Sequence, residues 1–144
     1  MLRCVLAVAA QSAVRDAESN SASVFNILET LAAAGFPFFV QKLSLLFMMT
    51  RDANDPPQHQ LMLRISQGAH GDDAFPVDCN FLEHFRTRNF IHLNGFVFRG
   101  EGVVRFGLFN GDQELAAWPV EVSLMAPPPV QVIAPNQATG PGAG

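Results

Sequence analysis

Hydrophobic residues recur at every second position along several stretches of the chain, most clearly between Asn89 and Leu124. Successive strand side chains point to opposite faces, so this period marks sheets with one face on a core. Val104, Phe106 and Leu108 share a face opposite Arg105 and Gly107, and Ala116, Trp118, Val120, Val122 and Leu124 share one opposite Glu121 and Ser123. The intervening Arg99–Gly102 and Asn110–Gln113 carry glycines, and Asn110-Gly111 is a hairpin signature because both residues accept positive φ at low cost. Together these features predict an antiparallel meander of three strands, Phe90–Phe98, Val103–Phe109 and Glu114–Leu124. Pro119 cannot donate to a ladder, which predicts an edge or a bulge at that position.

The preceding chain continues in the same idiom. Leu2–Ala9 reads as a strand buried on both sides, and the polar Gln11–Ser21 as a solvated loop or wide hairpin. Ala22–Thr30 alternates as a strand; a helix over Ser23–Ala34 competes with it, because Ala32-Ala33-Ala34 favours helix. Phe36-Pro37-Phe38-Phe39 is an apolar connection, read as a plug for the end of the core, with a binding site as the alternative. Val40–Arg51 is a strand with an unbroken apolar centre, Arg51–Pro57 a surface loop, and Gln58–Gln67 an alternating strand with Leu61, Leu63 and Ile65 inward. Ala74–Phe81 is a weaker strand, and Leu82–Arg88 a helical turn or crossover.

From residue 126 the composition turns to proline and glycine, which predicts a tail of 126–144 behind a domain of 1–125, with Val130–Ile133 as a short docking strand. Eight predicted strands with little helix give an all-β antiparallel sandwich, immunoglobulin-like or a related Greek key, with a closed barrel as the other candidate.

Composition narrows the functional classes. The 13 phenylalanines and absence of tyrosine favour a dry core and an apolar association surface. A net charge of −4 with a single lysine argues against nucleic acid or anionic membrane as partner. The arginines read as scattered, with only Arg86 and Arg88 close together. Two cysteines, Cys4 and Cys79, fit neither a zinc pattern nor a dense disulfide framework; they could pair if their strands met, but buried thiols in a reducing compartment are the favoured reading. Met1–Ala13 imitates a secretory leader weakly, and the strand reading is favoured over secretion. No stretch is apolar enough for a transmembrane helix, since Gly35, Pro37, Gln41 and Lys42 interrupt Leu31–Met49.

Several of these segments carry a resemblance. The strand Ser23–Thr30, the Phe36-Pro37 step before a long apolar strand, Leu93-Asn94-Gly95-Phe96, Gly111-Asp112 and Trp118-Pro119-Val120-Glu121-Val122 resemble small bacterial β-sandwich proteins classed as domains of unknown function. The resemblance spans about Leu2 to Leu124. Its first polar loop departs from the group, which tends to have glycine there, whereas Asp16–Ser21 has none. It implies a fold and a cytoplasmic setting, and it transfers no site.

The densest group of reactive side chains is His70, Asp72, Asp73, Asp78, Cys79, Glu83 and His84. One reading is a metal site using Cys79 and His84 with a carboxylate from Asp78 or Glu83. The favoured reading is turn residues, a core cysteine and solvated charges, because Cys-x4-His alone is unspecific. A nucleophilic dyad of Cys79 with His92 or His59 lacks an oxyanion loop. Glu101 and Asp112 read as solvated turn residues, and the glycines form no phosphate cradle.

One feature remains. Phe90, His92, Asn94, Phe96 and Phe98 fall on one face of their strand, Ile91, Leu93 and Val97 on the other, and Leu43–Met49 is apolar on both sides. A sandwich needs one buried face per sheet, so something must cover the surplus. A second subunit centred on Phe90, Phe96 and Phe98, with Pro119 at an open edge, is the hypothesis; an ordinary loop is the equal alternative. The expectation is a non-catalytic interaction module with no cofactor or metal, associating with itself or another protein. A carrier of a small apolar ligand between the sheets is the alternative, and a metal-dependent hydrolase stands last.

Overall fold

A computed structural model describes residues 1–126, which form nine strands and one short 3-10 turn at Gly68–His70. In chain order the strands are β1 (Arg3–Arg15), β2 (Ala22–Ile27), β3 (Thr30–Ala33), β4 (Phe38–Thr50), β5 (Gln58–Ser66), β6 (Asp72–Asn80), β7 (Arg86–Phe98), β8 (Gly102–Asn110) and β9 (Gln113–Leu124). They build two stacked sheets, β2-β1-β4-β7 and β3-β9-β8-β5-β6. The all-β sandwich is therefore as expected, with one parallel pair in it, β3 beside the end of β9. Apart from Ala126, the expected tail of 126–144, with its Val130–Ile133 segment, lies outside the described residues.

Alternation explains the core. Leu43, Leu45, Phe47 and Met49 of β4 meet Leu61, Leu63 and Ile65 of β5, Phe106 and Leu108 of β8, and Val120 and Val122 of β9 between the sheets. Area removed from water is the main stabilising term here, at about 25 cal/mol per Å². The single Trp118 closes the side where β1 and β9 approach, and its Nε1 donates to the Leu28 carbonyl at 2.7 Å.

Three expectations from periodicity are corrected. First, β7 does not join β8 and β9 in a meander. It pairs with β4 along its whole length, while β8 pairs with β5 and β9. The Arg99–Glu101 turn crosses from one sheet to the other. The buried Gln67 side chain spans that crossing, donating to the Val97 carbonyl and accepting from the Arg99 amide, both at 2.9 Å. Second, Ala22–Thr30 is not one strand. The chain leaves the first sheet after β2 and enters the second as β3, with the Leu28 amide bonded to the Ala9 carbonyl on the way. Third, Gln11–Arg15 belongs to β1, so only Asp16–Ser21 is turn. Asp16 Oδ1 accepts the amides of Glu18 and Ser19, which holds its carboxyl below the usual range.

The long first hairpin has a further role. β1 pairs with β4 only as far as Ala10 opposite Ser44, and beyond that with β2 alone. The ladder between β1 and β2 is interrupted at Gln11 and Asn26, where Asn26 takes φ +56 and its Nδ2 donates to Gln11 Oε1. Val8, Leu46 and Phe90 lie side by side on the outer face of the four-stranded sheet, because their neighbours Ala9, Leu45 and Ile91 face the inter-sheet core. Ala13, Ala22 and Val24 of the hairpin pack in one cluster with Val8, Leu46, Met48 and Phe90. At its tip the Asn20 carbonyl accepts from Arg88 of β7. The hairpin thus folds across the outer face and covers the surplus apolar surface from within the chain.

Candidate functional site

Periodicity placed Phe90, Phe96 and Phe98 on one outward stripe. The structure separates them: Phe90 is half-buried under the hairpin, while Phe96 and Phe98 sit inside the core, their rings edge-on at 4.8 Å. The cause is Gly95, whose φ of +87 is open to glycine and strained for other residues. Ile91 and Leu93 face inward before it, Phe96 and Phe98 after it. Opposite Gly95, β4 changes in step, from Phe38 and Val40 inward to Leu43 and Leu45 inward. One local change of parity therefore exchanges the two faces of both strands. Pro119 is exposed and sits opposite Arg105 on the stretch of β9 that β3 does not flank, since β3 first pairs at Glu121.

The reactive side chains do not converge. Cys79 points into the core and His84 lies exposed in the turn after β6, while Cys79 faces His59 across the ladder. His59 Nε2 is engaged with the Pro56 carbonyl at 2.8 Å, and burial pushes the Cys79 thiol up from its ordinary value, so it stays protonated at neutral pH. Among the described residues no three His, Cys, Asp or Glu side chains are grouped to hold a metal ion. Glu101 accepts the Leu124 amide, and Asp112 lies exposed in the β8–β9 turn. The Ser44 hydroxyl is 2.9 Å from His92 Nδ1, yet Ser44 is buried under the hairpin, and the recess beside it is lined by Ala13, Val14, Arg15, Lys42, Phe90 and His92 without a carboxylate. This pair satisfies a buried hydroxyl.

What the structure does assemble is a cleft where β1 leaves β4. It measures about 650 Å³ and is walled by Ile27, Leu28 and Leu31 on one side and Phe38, Phe39 and Val40 on the other, with Phe98 and Leu43 behind. β4 is paired with β7 from Phe38 onward, but with β1 only from Ser44 onward. The edge Phe38–Leu43 that faces the cleft consequently has no strand beside it among the described residues, so its backbone donors and acceptors on that side are open. Phe39 is 60% exposed at the rim, and Phe25 and Ile27 of β2 are more than half exposed nearby. Of the expected plug, Phe36 and Phe38 pack against the core and Phe39 does not. The sequence carried a signal for this, since adjacent phenylalanines on one strand must face opposite ways.

Among the described residues no helix is long and apolar enough to cross a membrane. No curated protein matches the chain. A family of unknown function (DUF6941) matches residues 5–123, from β1 into the end of β9, and the chain belongs to that family.

Proposed function

We propose that this chain is a non-catalytic interaction module that receives an extended apolar segment, from another protein or a second copy, along the Phe38–Leu43 edge of β4. The observation that carries this reading is the half-paired strand: one side of β4 is laddered over its full length, the other from Ser44 only. An added strand gains main-chain hydrogen bonds there, and its alternate side chains meet Ile27, Leu31 and Phe39. The free thiols Cys4 and Cys79, which lie in one core cluster, suit a reducing, cytoplasmic setting.

Panning a random-peptide library against the chain tests this. Extended sequences with apolar residues at alternate positions should be enriched, and Phe39→Asp should abolish their capture while leaving the melting temperature unchanged. Failure to enrich any sequence, or equal capture by Phe39→Asp, would refute it. A second reading rests on the volume of the same cleft, which is within the range of small-molecule sites: the cleft carries a small apolar ligand. Saturable binding of a fatty acid, blocked by Phe39→Asp, with no peptide enriched, would select that reading.

A further inference from the structure

The outer face of the four-stranded sheet carries a charge pattern that chain order hides. β1, β2, β4 and β7 contain Arg3, Arg15, Lys42, Arg86 and Arg88 and no acidic residue. The opposite sheet reverses this, with Asp72, Asp73, Asp78, Glu114 and Glu121 against Arg64 and Arg105. Arg105 there is paired with Glu114, and Arg99 beyond its strands with Asp73. Among the described residues none of the five basic groups on the first sheet makes an ion pair.

Register gathers three of them at one corner. Arg3, Thr50 and Arg86 are neighbours across β1, β4 and β7, and Leu6, Met48 and Arg88 form the next row. Both rows share the outer face of Leu46 and Phe90. Arg51 joins from the following loop; its guanidinium is held over the rings of Phe81 and Phe85 and donates to the carbonyls of His84 and Asp55. Here Asn20, Met48, His84, Phe85, Arg86, Thr87 and Arg88 enclose a recess of about 600 Å³. The hairpin tip bounds it on one side and the Phe81–Phe85 turn on the other.

We propose that this recess binds an acidic, extended protein segment whose carboxylates, at alternate residues and thus about 7 Å apart, reach Arg86 and Arg88. Guanidinium groups favour carboxylates through paired, charge-assisted hydrogen bonds, and unpaired ones keep that capacity. A nucleic-acid duplex or a bilayer needs a flat or wide basic surface, whereas this recess lies between the hairpin tip at Asn20 and the turn residues His84 and Phe85. The overall charge of −4 opposes a long polyanion as well. Exposed Phe85 and half-buried Met48 offer contact to an adjoining apolar side chain. This site is independent of the β4 cleft.

The probe is a blocked hexapeptide of alternating glutamate and serine, which lacks the apolar side chains the β4 cleft would take, titrated at low ionic strength while backbone amide shifts are followed. Saturable shifts centred on Met48 and Arg86–Arg88 are expected. Losing one charge-assisted contact in Arg86→Glu should weaken binding about tenfold, and the glutamine counterpart of the peptide, which loses both, should bind more weakly still. Arg86 is exposed and unpaired, so this variant should keep the wild-type melt; Arg3→Glu, also exposed and in the same outer row but outside the recess lining, should weaken binding by a smaller factor through charge alone. Phe39→Asp should bind the hexapeptide as wild type does, which separates this site from the cleft. No saturable shift, equal binding of the glutamine peptide, unchanged affinity in both charge reversals, or preferential binding of a DNA duplex or phosphatidylserine vesicle would each overturn the proposal.

Discussion

Leu46→Ala separates a sheet covered by its own hairpin from one with an open outer face. Leu46 is 1% exposed although it points away from the inter-sheet core, and it lies in one cluster with its ladder neighbours Val8 and Phe90 and with Ala13, Ala22 and Val24 of the hairpin. If that cover exists in solution, truncation removes buried methyl groups and leaves a cavity, costing about 2–5 kcal/mol. Leu6 is the control. It lies on the same outer face, one row away, and is 42% exposed. Its truncation should cost about 1 kcal/mol or less, because much of the side chain already meets water. With a urea slope near 2 kcal/mol/M, a loss of about 3 kcal/mol lowers the midpoint by roughly 1.5 M, against about 0.5 M for Leu6→Ala. Urea unfolding followed by the fluorescence of Trp118, the chain's one tryptophan, reads both. Equal midpoints for the two variants, with unchanged slopes, would show that the hairpin does not cover the sheet.

Three further outcomes follow from particular residues. Gly95→Ala should destabilise by about 1–2 kcal/mol, the cost of a left-handed backbone with a Cβ, since Gly95 has φ +87 and the added carbon would come 3.2 Å from the Phe39 ring; an unchanged urea midpoint would contradict the parity change. Trp118→Phe loses the bond to the Leu28 carbonyl and leaves that group unpaired, costing about 1–3 kcal/mol; a thermal melt by circular dichroism shifted by less than 1 °C would refute the anchoring role. Cys79 is pushed above its ordinary value of 9.0 chiefly by burial. A raised thiol contributes stability fully present below the unfolded value and lost as pH rises through the folded one. Stability should therefore fall above about pH 9 less steeply in Cys79→Ala than in wild type, and iodoacetamide should label Cys79 only on unfolding; prompt labelling in the native state would contradict the burial.

Period-two patterning reveals strands because it reports local burial, and the inward sets Leu61, Leu63, Ile65 and Val104, Phe106, Leu108 were fully legible that way. It cannot reveal which sheet a strand joins. The Arg99–Gly102 turn carries the same glycines whether it closes a hairpin or crosses the sandwich, and only the β4 and β5 ladders decide. Nor does the pattern show where parity changes. Asn94-Gly95 stood in the sequence, yet its meaning depends on the matching change in β4 across the ladder. For the surplus apolar face the pattern predicts a second subunit or an ordinary loop; the hairpin that packs Ala13 and Val24 in one cluster with Leu46 is not foreseen by it, because that packing is long-range. The open β4 edge and the basic corner were illegible for one reason: each is made by pairing register. Arg3 and Arg86 are far apart in sequence and two strands apart in space.

Amide hydrogen exchange along β4 tests the half-paired strand directly. Within Phe38–Leu43, the alternate amides turned toward the cleft should exchange orders of magnitude faster than those bonded to β7 and than the Leu45–Met49 amides, which are enclosed by strands on both sides. Uniform, slow exchange from Phe38 to Met49 would mean that the edge is already occupied, and would contradict the account.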